Sequence, residues 1–191
     1  MDLGVSDDPG PLKNVSIRKR RGLLPGTEIP YVRLTRIRIP VAVADPDAKV
    51  SIETLCPPER HGHYIHHLRV HPRLSGRPYR YIYGNCCTRP RPCNSIDGVC
   101  RVDVTDGSVL LWHSSPDAIP AGPTIFLPRA GTDPEDETDG VLLVDCLGAD
   151  GHSFVAVLDG HTFKEVARAT LPYRHCQSLG STWIWGPVSS G

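Results

Sequence analysis

The chain has 191 residues, and its 21 lysines and arginines balance 21 aspartates and glutamates, so its formal net charge is zero. Because a neutral chain lacks a strong field of one sign, charge gives no support to a nucleic-acid or anionic-membrane partner. With 39% apolar residues the chain is not a disordered polymer, and no apolar run approaches the roughly 20 residues of a membrane span.

The N-terminal part differs from the rest of the chain. Residues 1–30 contain scattered prolines and glycines and the basic run Ser16–Arg21, which predict a polar, flexible tail. The first ten residues are acidic and have no apolar signal core, so they predict neither a secretory signal nor a plastid transit peptide. Without a secretory signal, the seven cysteines are expected to be free thiols in a reducing compartment, by default the cytoplasm.

From Tyr31 onward, apolar and polar residues alternate in short runs, which predicts strands. In Val32–Ile39 the alternation changes phase after Leu34, and this shift predicts a bulge. Further strands are predicted at Tyr64–Val70, Tyr79–Tyr83, Val99–Val104, Ser108–Trp112, Thr124–Leu127, Val141–Asp145, Phe154–Leu158 and Glu165–Leu171. The last two are expected to form a hairpin across Asp159–Thr162. Strands about ten residues apart with polar turns predict an all-β sandwich, barrel or propeller.

The densest cluster of metal-ligating side chains is the histidine-rich segment from His61 to His71. On one continuous strand, His61, His63, His67 and His71 would share a face, and neutral imidazoles arranged in this way bind zinc or copper. The cysteines nearby do not form a CxxC pair that would complete a zinc site. The segment therefore has two interpretations, a His-rich metal-binding β module or an exposed His-rich strand.

Motifs of other catalytic classes are missing from the sequence. It contains no GxSxG elbow, no P-loop and no GxGxxG turn. The acidic stretch Asp133–Gly140 lacks the alternating ligands and the terminal glutamate of an EF-hand loop, so it is predicted to be a solvated turn.

Three longer segments occur in a distinctive order. Arg69–Gly84 is similar to RINPxxxGxxYRYxYG, Phe126–Arg129 with Asp139–Leu143 to FVPRPG…DEDDGV, and Val157–Ala169 to LLLDAxTFEEIARA. These are motifs of the carotenoid cleavage dioxygenases, which the chain resembles from about Tyr31 to Trp185. Arg91–Asn94 and the ending from Pro172 to Trp183 resemble the plant and algal branch that makes carlactone, the strigolactone precursor.

The resemblance implies a fold and a chemistry. The family fold is a seven-bladed β-propeller that holds a non-haem ferrous ion on four histidines at its axis. The family uses dioxygen to cleave a polyene double bond of a carotenoid or apocarotenoid, and the plant and algal relatives work in plastids. Residues 31–185 would form the C-terminal blades of such a propeller, and residues 186–191 a short tail.

An incomplete propeller would leave strand edges unpaired and one sheet face uncovered. The side chains expected on that face are those of Leu127, Val141, Leu143, Val155 and Val157. We therefore expect the isolated chain to be marginally stable or to self-associate.

The resemblance also identifies the positions that surround the iron in the family. Gly180 occupies the slot of the fourth iron histidine, and His66 and Gly122 occupy the slots of two glutamates that orient iron ligands. No catalytic, cofactor-binding or metal-binding residue is therefore expected in this segment, and the chain alone is not expected to hold Fe(II). Three functions stay open, namely the C-terminal part of a dioxygenase, an inactive truncated propeller or scaffold, and an unrelated His-rich metal-binding module.

Overall fold

The structure is a computed structural model that describes residues 1–7, 31–41, 49–62, 64–88, 96–114, 118–131, 133, 135–148 and 150–173. Over these residues the chain is all-β, with two single-turn 3-10 helices at Pro58–Arg60 and Pro72–Leu74. Neither helix of the described part is long and apolar enough to cross a membrane. The predicted all-β class is confirmed.

The strands form three antiparallel sheets. Their bounds are β1 Asp2–Val5, β2 Arg33–Arg38, β3 Ser51–Cys56, β4 Ile65–Arg69, β5 Tyr81–Cys86, β6 Gly98–Asp103, β7 Val109–His113, β8 Ala118–Pro120, β9 Ile125–Pro128, β10 Gly140–Gly148, β11 Ser153–Asp159 and β12 Glu165–Thr170. The first sheet has the order β1-β2-β3 and the middle sheet β4-β5-β6-β7. In the third sheet, β12, β11 and β10 follow one another, and β8 and β9 both pair with β10.

The first strands of the first and middle sheets lie beside each other. Strand β1 contacts β4 of the middle sheet, and a Cβ atom on Gly4 would come within 2.8 Å of the Ile65 carbonyl oxygen. Strands β8 and β9 share one edge of β10, so together they form the interrupted first strand of the third sheet. This succession of antiparallel sheets is a partial β-propeller.

All nine strands predicted from alternation are present, including the β11–β12 hairpin. Three further strands were not predicted. Strand β1 falls in the segment expected to be a flexible tail, β3 has four exposed residues in a row, and β8 is only three residues long. The bulge predicted after Leu34 corresponds to a shift in the β2–β3 register between Leu34 and Thr35. The extra residue lies on the partner strand β3, where Leu55 has no opposite residue on β2.

Two hydrophobic clusters fill the spaces between the sheets. Because side chains alternate across a strand, β5 sends Ile82 to one cluster and Tyr83 to the other. One cluster joins the first and middle sheets and includes Leu34, Cys56, Ile65, Ile82 and Val102. The other joins the middle and third sheets and includes Tyr83, Val99, Trp112, Phe126, Leu142, Val144 and Phe154.

Five cysteines fall among the described residues, and all five are buried thiols. Burial raises the pKa of Cys56 to about 11 and that of Cys146 to about 12, so these thiols stay protonated at neutral pH. Protonated, inaccessible thiols pack as small apolar groups and react slowly with oxidants. Cys93 and Cys176 lie outside the described residues.

We expect Leu142→Ala to lower the free energy of unfolding by about 2–5 kcal/mol, because this fully buried side chain would leave a cavity between two sheets. Ile52→Ala is the matched control, since Ile52 is 72% exposed on β3. Urea titration followed by tryptophan fluorescence measures both values. Equal losses in the two variants would contradict the assignment of this core.

Candidate functional site

The acidic turn before β10 connects the third sheet to the middle sheet. The Glu137 carboxylate accepts hydrogen bonds from the backbone N–H of Arg80 at 2.8 Å and of Tyr81 at 3.0 Å. The hydroxyl of Tyr83 donates to the Glu137 carbonyl oxygen at 3.3 Å. Asp133 and Glu135 of the predicted solvated turn are exposed, while half-buried Glu137 also caps the start of β5.

An arginine on β6 strengthens this connection. The Arg101 guanidinium lies over the Tyr81 ring, 4.7 Å from its centroid, and also 5.9 Å from the centroid of Phe163. It donates hydrogen bonds to the backbone carbonyls of Gly160 and His161 in the β11–β12 turn. A cation held between two aromatic faces fixes the distance between the sheets.

Two glycines allow the strand ends of the third sheet to approach closely. A Cβ atom on Gly140 would lie 2.3 Å from the Leu127 carbonyl oxygen, and one on Gly160 would lie 2.4 Å from that of Thr138. The Gly160 N–H donates to the Gly140 carbonyl at 2.9 Å. The segments that resemble the family signatures thus form contacts within the third sheet and between it and the middle sheet.

The histidines of the His61–His71 segment do not share one face. Strand β4 begins only at Ile65 and ends at Arg69, so His61 and His71 lie outside it. Its register with β5 shifts between His66 and Arg69, and His67 at this bulge has a φ of +53°. Because a bulge reverses the alternation of side chains, the prediction that His61, His67 and His71 align is wrong. His63 lies outside the described residues.

The His71 side chain is part of the packing between sheets. Its ring is buried against Phe126, with 5.1 Å between centroids, and its Nδ1 atom accepts a hydrogen bond from the Arg73 backbone N–H at 3.2 Å. Burial, with a smaller contribution from the Arg73 charge, lowers the pKa of the ring. This histidine begins a 3-10 turn and packs between sheets.

His66 and Gly122, which the resemblance places near the iron, lie on either side of Asn85. His66 on β4 is directly opposite Asn85 on β5 in the strand register. The Asn85 amide nitrogen donates to the Gly122 carbonyl oxygen at 2.9 Å, and the Thr124 hydroxyl donates to the Asn85 amide oxygen at 3.3 Å. Gly122 and Thr124 occupy the gap between β8 and β9. We call this set of four residues the Asn85 cluster.

The Asn85 cluster is buried and polar. Asn85 and Thr124 are each 1% exposed, so their mutual hydrogen bonds replace contacts with water. Sequence reasoning missed Asn85, although a signal was available. Asparagine follows Tyr81–Gly84 at a strand position where an apolar residue is expected, and a polar residue inside a buried strand requires a partner.

His66 is held as a neutral ring. Burial, helped by the neighbouring His67, lowers its pKa to about 3. The two rings lie 4.0 Å apart between centroids, and His66 Nε2 and His67 Nδ1 are buried without a hydrogen-bond partner among the described residues. A charged imidazole would lose its hydration here without gaining a carboxylate from the Asn85 cluster.

The donor atoms of this region do not fit a four-histidine iron site. The Asn85 cluster offers a single imidazole, an amide, a hydroxyl and a backbone carbonyl, so it supplies one histidine and no carboxylate. Among the described residues there is no group of three or more His, Cys, Asp or Glu side chains that could hold a metal ion. Gly180 lies outside the described residues.

We expect Asn85→Ala to lower the free energy of unfolding by about 1–3 kcal/mol, because the buried Gly122 carbonyl and Thr124 hydroxyl would lose their partner. Thr124→Val is the control and removes only the 3.3 Å hydrogen bond, with an expected loss of at most about 1 kcal/mol. Denaturant titration measures both changes. Wild-type stability in Asn85→Ala would show that Asn85 does not hold the two sheets together.

The low pKa of His66 predicts a pH-dependent stability. An unfolded histidine takes up its proton near pH 6.5, whereas folded His66 does so only near pH 3. The stability contributed by the neutral ring is therefore complete above pH 6.5 and is lost as the pH falls toward 3, by about 1.4 kcal/mol per pH unit in between. Urea titrations at pH 7.5, 6.5 and 5.5 should show this loss, and His66→Gln should reduce its slope. The same slope in both proteins would contradict this prediction.

Comparisons with known proteins agree with the architecture. Residues 7–184 match the family described as RPE65, retinal pigment epithelial membrane protein. The chain is 36% identical over 156 residues to carotenoid cleavage dioxygenase 8 homolog B, chloroplastic, from Oryza sativa, which covers 82% of this chain. A protein of the same name from Arabidopsis thaliana, carotenoid cleavage dioxygenase 8, chloroplastic, is also 36% identical. The resemblance to the plant branch is thereby confirmed.

A solved structure shows the same fold. The cobalt-substituted apocarotenoid oxygenase of Synechocystis superposes on 83% of this chain with a TM-score of 0.69 and 27% sequence identity. The chain spans only 31% of that structure and 26% of the rice relative. The partial propeller thus corresponds to less than a third of either relative. On these matches, the chain belongs to the RPE65 and carotenoid cleavage dioxygenase family.

Proposed function

We propose that this chain is a non-catalytic propeller segment of the carotenoid oxygenase fold, which by itself neither holds iron nor cleaves a polyene. The observation that carries the proposal is the Asn85 cluster, in which His66 and Gly122 stand where the family resemblance expects two glutamates. A carboxylate that accepts the second N–H of a metal-bound imidazole orients the ring and makes it more basic, and the Asn85 cluster supplies no carboxylate.

The packing of the cluster supports this proposal. The Asn85 amide nitrogen donates to the Gly122 carbonyl, and its amide oxygen accepts from the Thr124 hydroxyl. Both polar atoms of the side chain therefore have a hydrogen-bond partner within the protein. His66 is neutral and lies against His67. His66 is the one imidazole of the cluster, so a four-histidine iron site would need its other ligands from residues outside the cluster.

A second candidate is the dioxygenase activity of a complete propeller to which this chain contributes blades. The intact contacts of Glu137 and Arg101 between the middle and third sheets favour it, because they preserve the scaffold on which the family builds its site. In that protein the substrate class would be a carotenoid or apocarotenoid, the cofactor Fe(II) and the location the plastid. These assignments follow the chloroplastic and apocarotenoid relatives.

The third interpretation, a separate His-rich metal module, loses its geometric basis. It required a straight strand through His61, His67 and His71, and the short β4 with its bulge separates these side chains.

Purified under anaerobic conditions with added Fe(II), the chain is expected to retain well under one equivalent of iron after desalting. Because the Asn85 cluster supplies no carboxylate, it is also expected to give no aldehyde product from a β-apocarotenoid in air. Elemental analysis and chromatography of the products are the measurements. The Synechocystis apocarotenoid oxygenase, treated in parallel, is the positive control. One equivalent of bound iron or catalytic turnover would overturn the proposal.

A further inference from the structure

The bulge in β4 places two consecutive histidines side by side. In a regular strand, neighbouring side chains point to opposite faces, so the backbone would separate His66 from His67. Here the left-handed φ of +53° at His67 interrupts the pairing of β4 with β5. The two rings lie 4.0 Å apart between centroids, with 43° between their planes. We call these two residues the histidine pair.

Each ring of the histidine pair has a buried nitrogen without a hydrogen-bond partner. His66 Nε2 and His67 Nδ1 are shielded from solvent, and neither makes a hydrogen bond among the described residues. Buried polar atoms that stay unpaired within a protein usually bind an ion or an ordered water. The two side chains are only half-buried, so part of each ring remains in contact with solvent. A small ligand therefore has a route to the pair.

Both rings are neutral at pH 7. Burial, helped by His67, lowers the pKa of His66 to about 3, and burial with the nearby Arg69 charge lowers the pKa of His67. A neutral imidazole carries its proton on one nitrogen and has a free lone pair on the other, which is the form that binds metals. The histidine pair thus offers two nitrogen donors, one from each ring.

The surroundings of the histidine pair favour a metal ion with a single charge. Among the described residues, no third His, Cys, Asp or Glu side chain joins the two rings in a metal-binding group. A zinc ion needs four ligands, and a buried divalent charge needs a negative partner, whereas the nearest charge here is the positive one of Arg69. Copper binds imidazole, and in its +1 state it carries one charge and is stable with two ligands.

We propose that His66 and His67 form a two-coordinate Cu(I) site, created by the bulge in β4. The site differs from the aligned face of four histidines, because it needs only the two rings that the bulge brings together. It needs neither iron nor turnover, so its test and that of the proposed function can fail separately.

The probe is Cu(I) itself, supplied as its acetonitrile complex without oxygen to the full 191-residue chain. Iodoacetamide first blocks the thiols that solvent reaches, because thiolates are softer ligands that Cu(I) prefers. Competition with bicinchoninate at pH 7.5 measures the affinity. X-ray absorption identifies the ligands, because metal–sulfur bonds are longer than metal–nitrogen bonds. We expect one equivalent of Cu(I), bound by nitrogen alone.

His66→Gln and His67→Asn each remove one nitrogen ligand and should lower the Cu(I) affinity by about tenfold or more. Asparagine is used at position 67 because it tolerates a left-handed φ and so keeps the bulge. His113→Gln, at an exposed histidine on β7, is the matched control and should bind Cu(I) as the wild-type chain does. Circular dichroism checks that each variant folds, and His67→Asn gives a second reading if His66→Gln does not.

Three outcomes would overturn the proposal. The first is a wild-type chain that retains no equivalent of Cu(I) against bicinchoninate. The second is an absorption spectrum with sulfur ligands, which would assign the copper to the thiols. The third is a Cu(I) affinity that is unchanged in a folded His66→Gln or His67→Asn variant, or that falls equally in His113→Gln.

Discussion

The arrangement of the sheets depends on one contact, the binding of the Glu137 carboxylate to the first backbone N–H groups of β5. This carboxylate satisfies donors at a strand end that would otherwise need water, and a charged acceptor makes the stronger kind of hydrogen bond. The Tyr83 ring, anchored through its hydroxyl to Glu137, then stacks on Phe126 at 5.4 Å between centroids. The cluster between the middle and third sheets forms around these contacts.

This contact also affects where Asn85 lies. It fixes β5 against the third sheet, so that Asn85 reaches the gap between β8 and β9 and finds Gly122 and Thr124. Charged side chains thus connect the middle and third sheets at Glu137 and Arg101, whereas Asn85, Gly122 and Thr124 are connected by uncharged hydrogen bonds.

Much of the fold follows from alternation in the sequence. Short apolar runs such as Phe154–Leu158 predict strands. Successive side chains of a strand point to opposite faces, and both faces of β11 are apolar. The bulge at His67 does not follow from the sequence, because its left-handed φ is imposed by pairing with β5. The predicted metal-binding face of histidines failed for this reason. Nor could local patterns reveal β1, whose Asp2 is held by Arg36 and Tyr79 from distant segments.

The sequence by itself determined the all-β class and the family, because each of these depends on local periodicity or on ordered motifs. Tertiary structure alone decided that Asn85 lies between His66 and Gly122, since the three residues come from separate segments of the chain. It also decided which apolar face is covered. Alternation makes both faces of the third sheet apolar, but only the middle sheet's position leaves Leu143 and Val157 partly exposed.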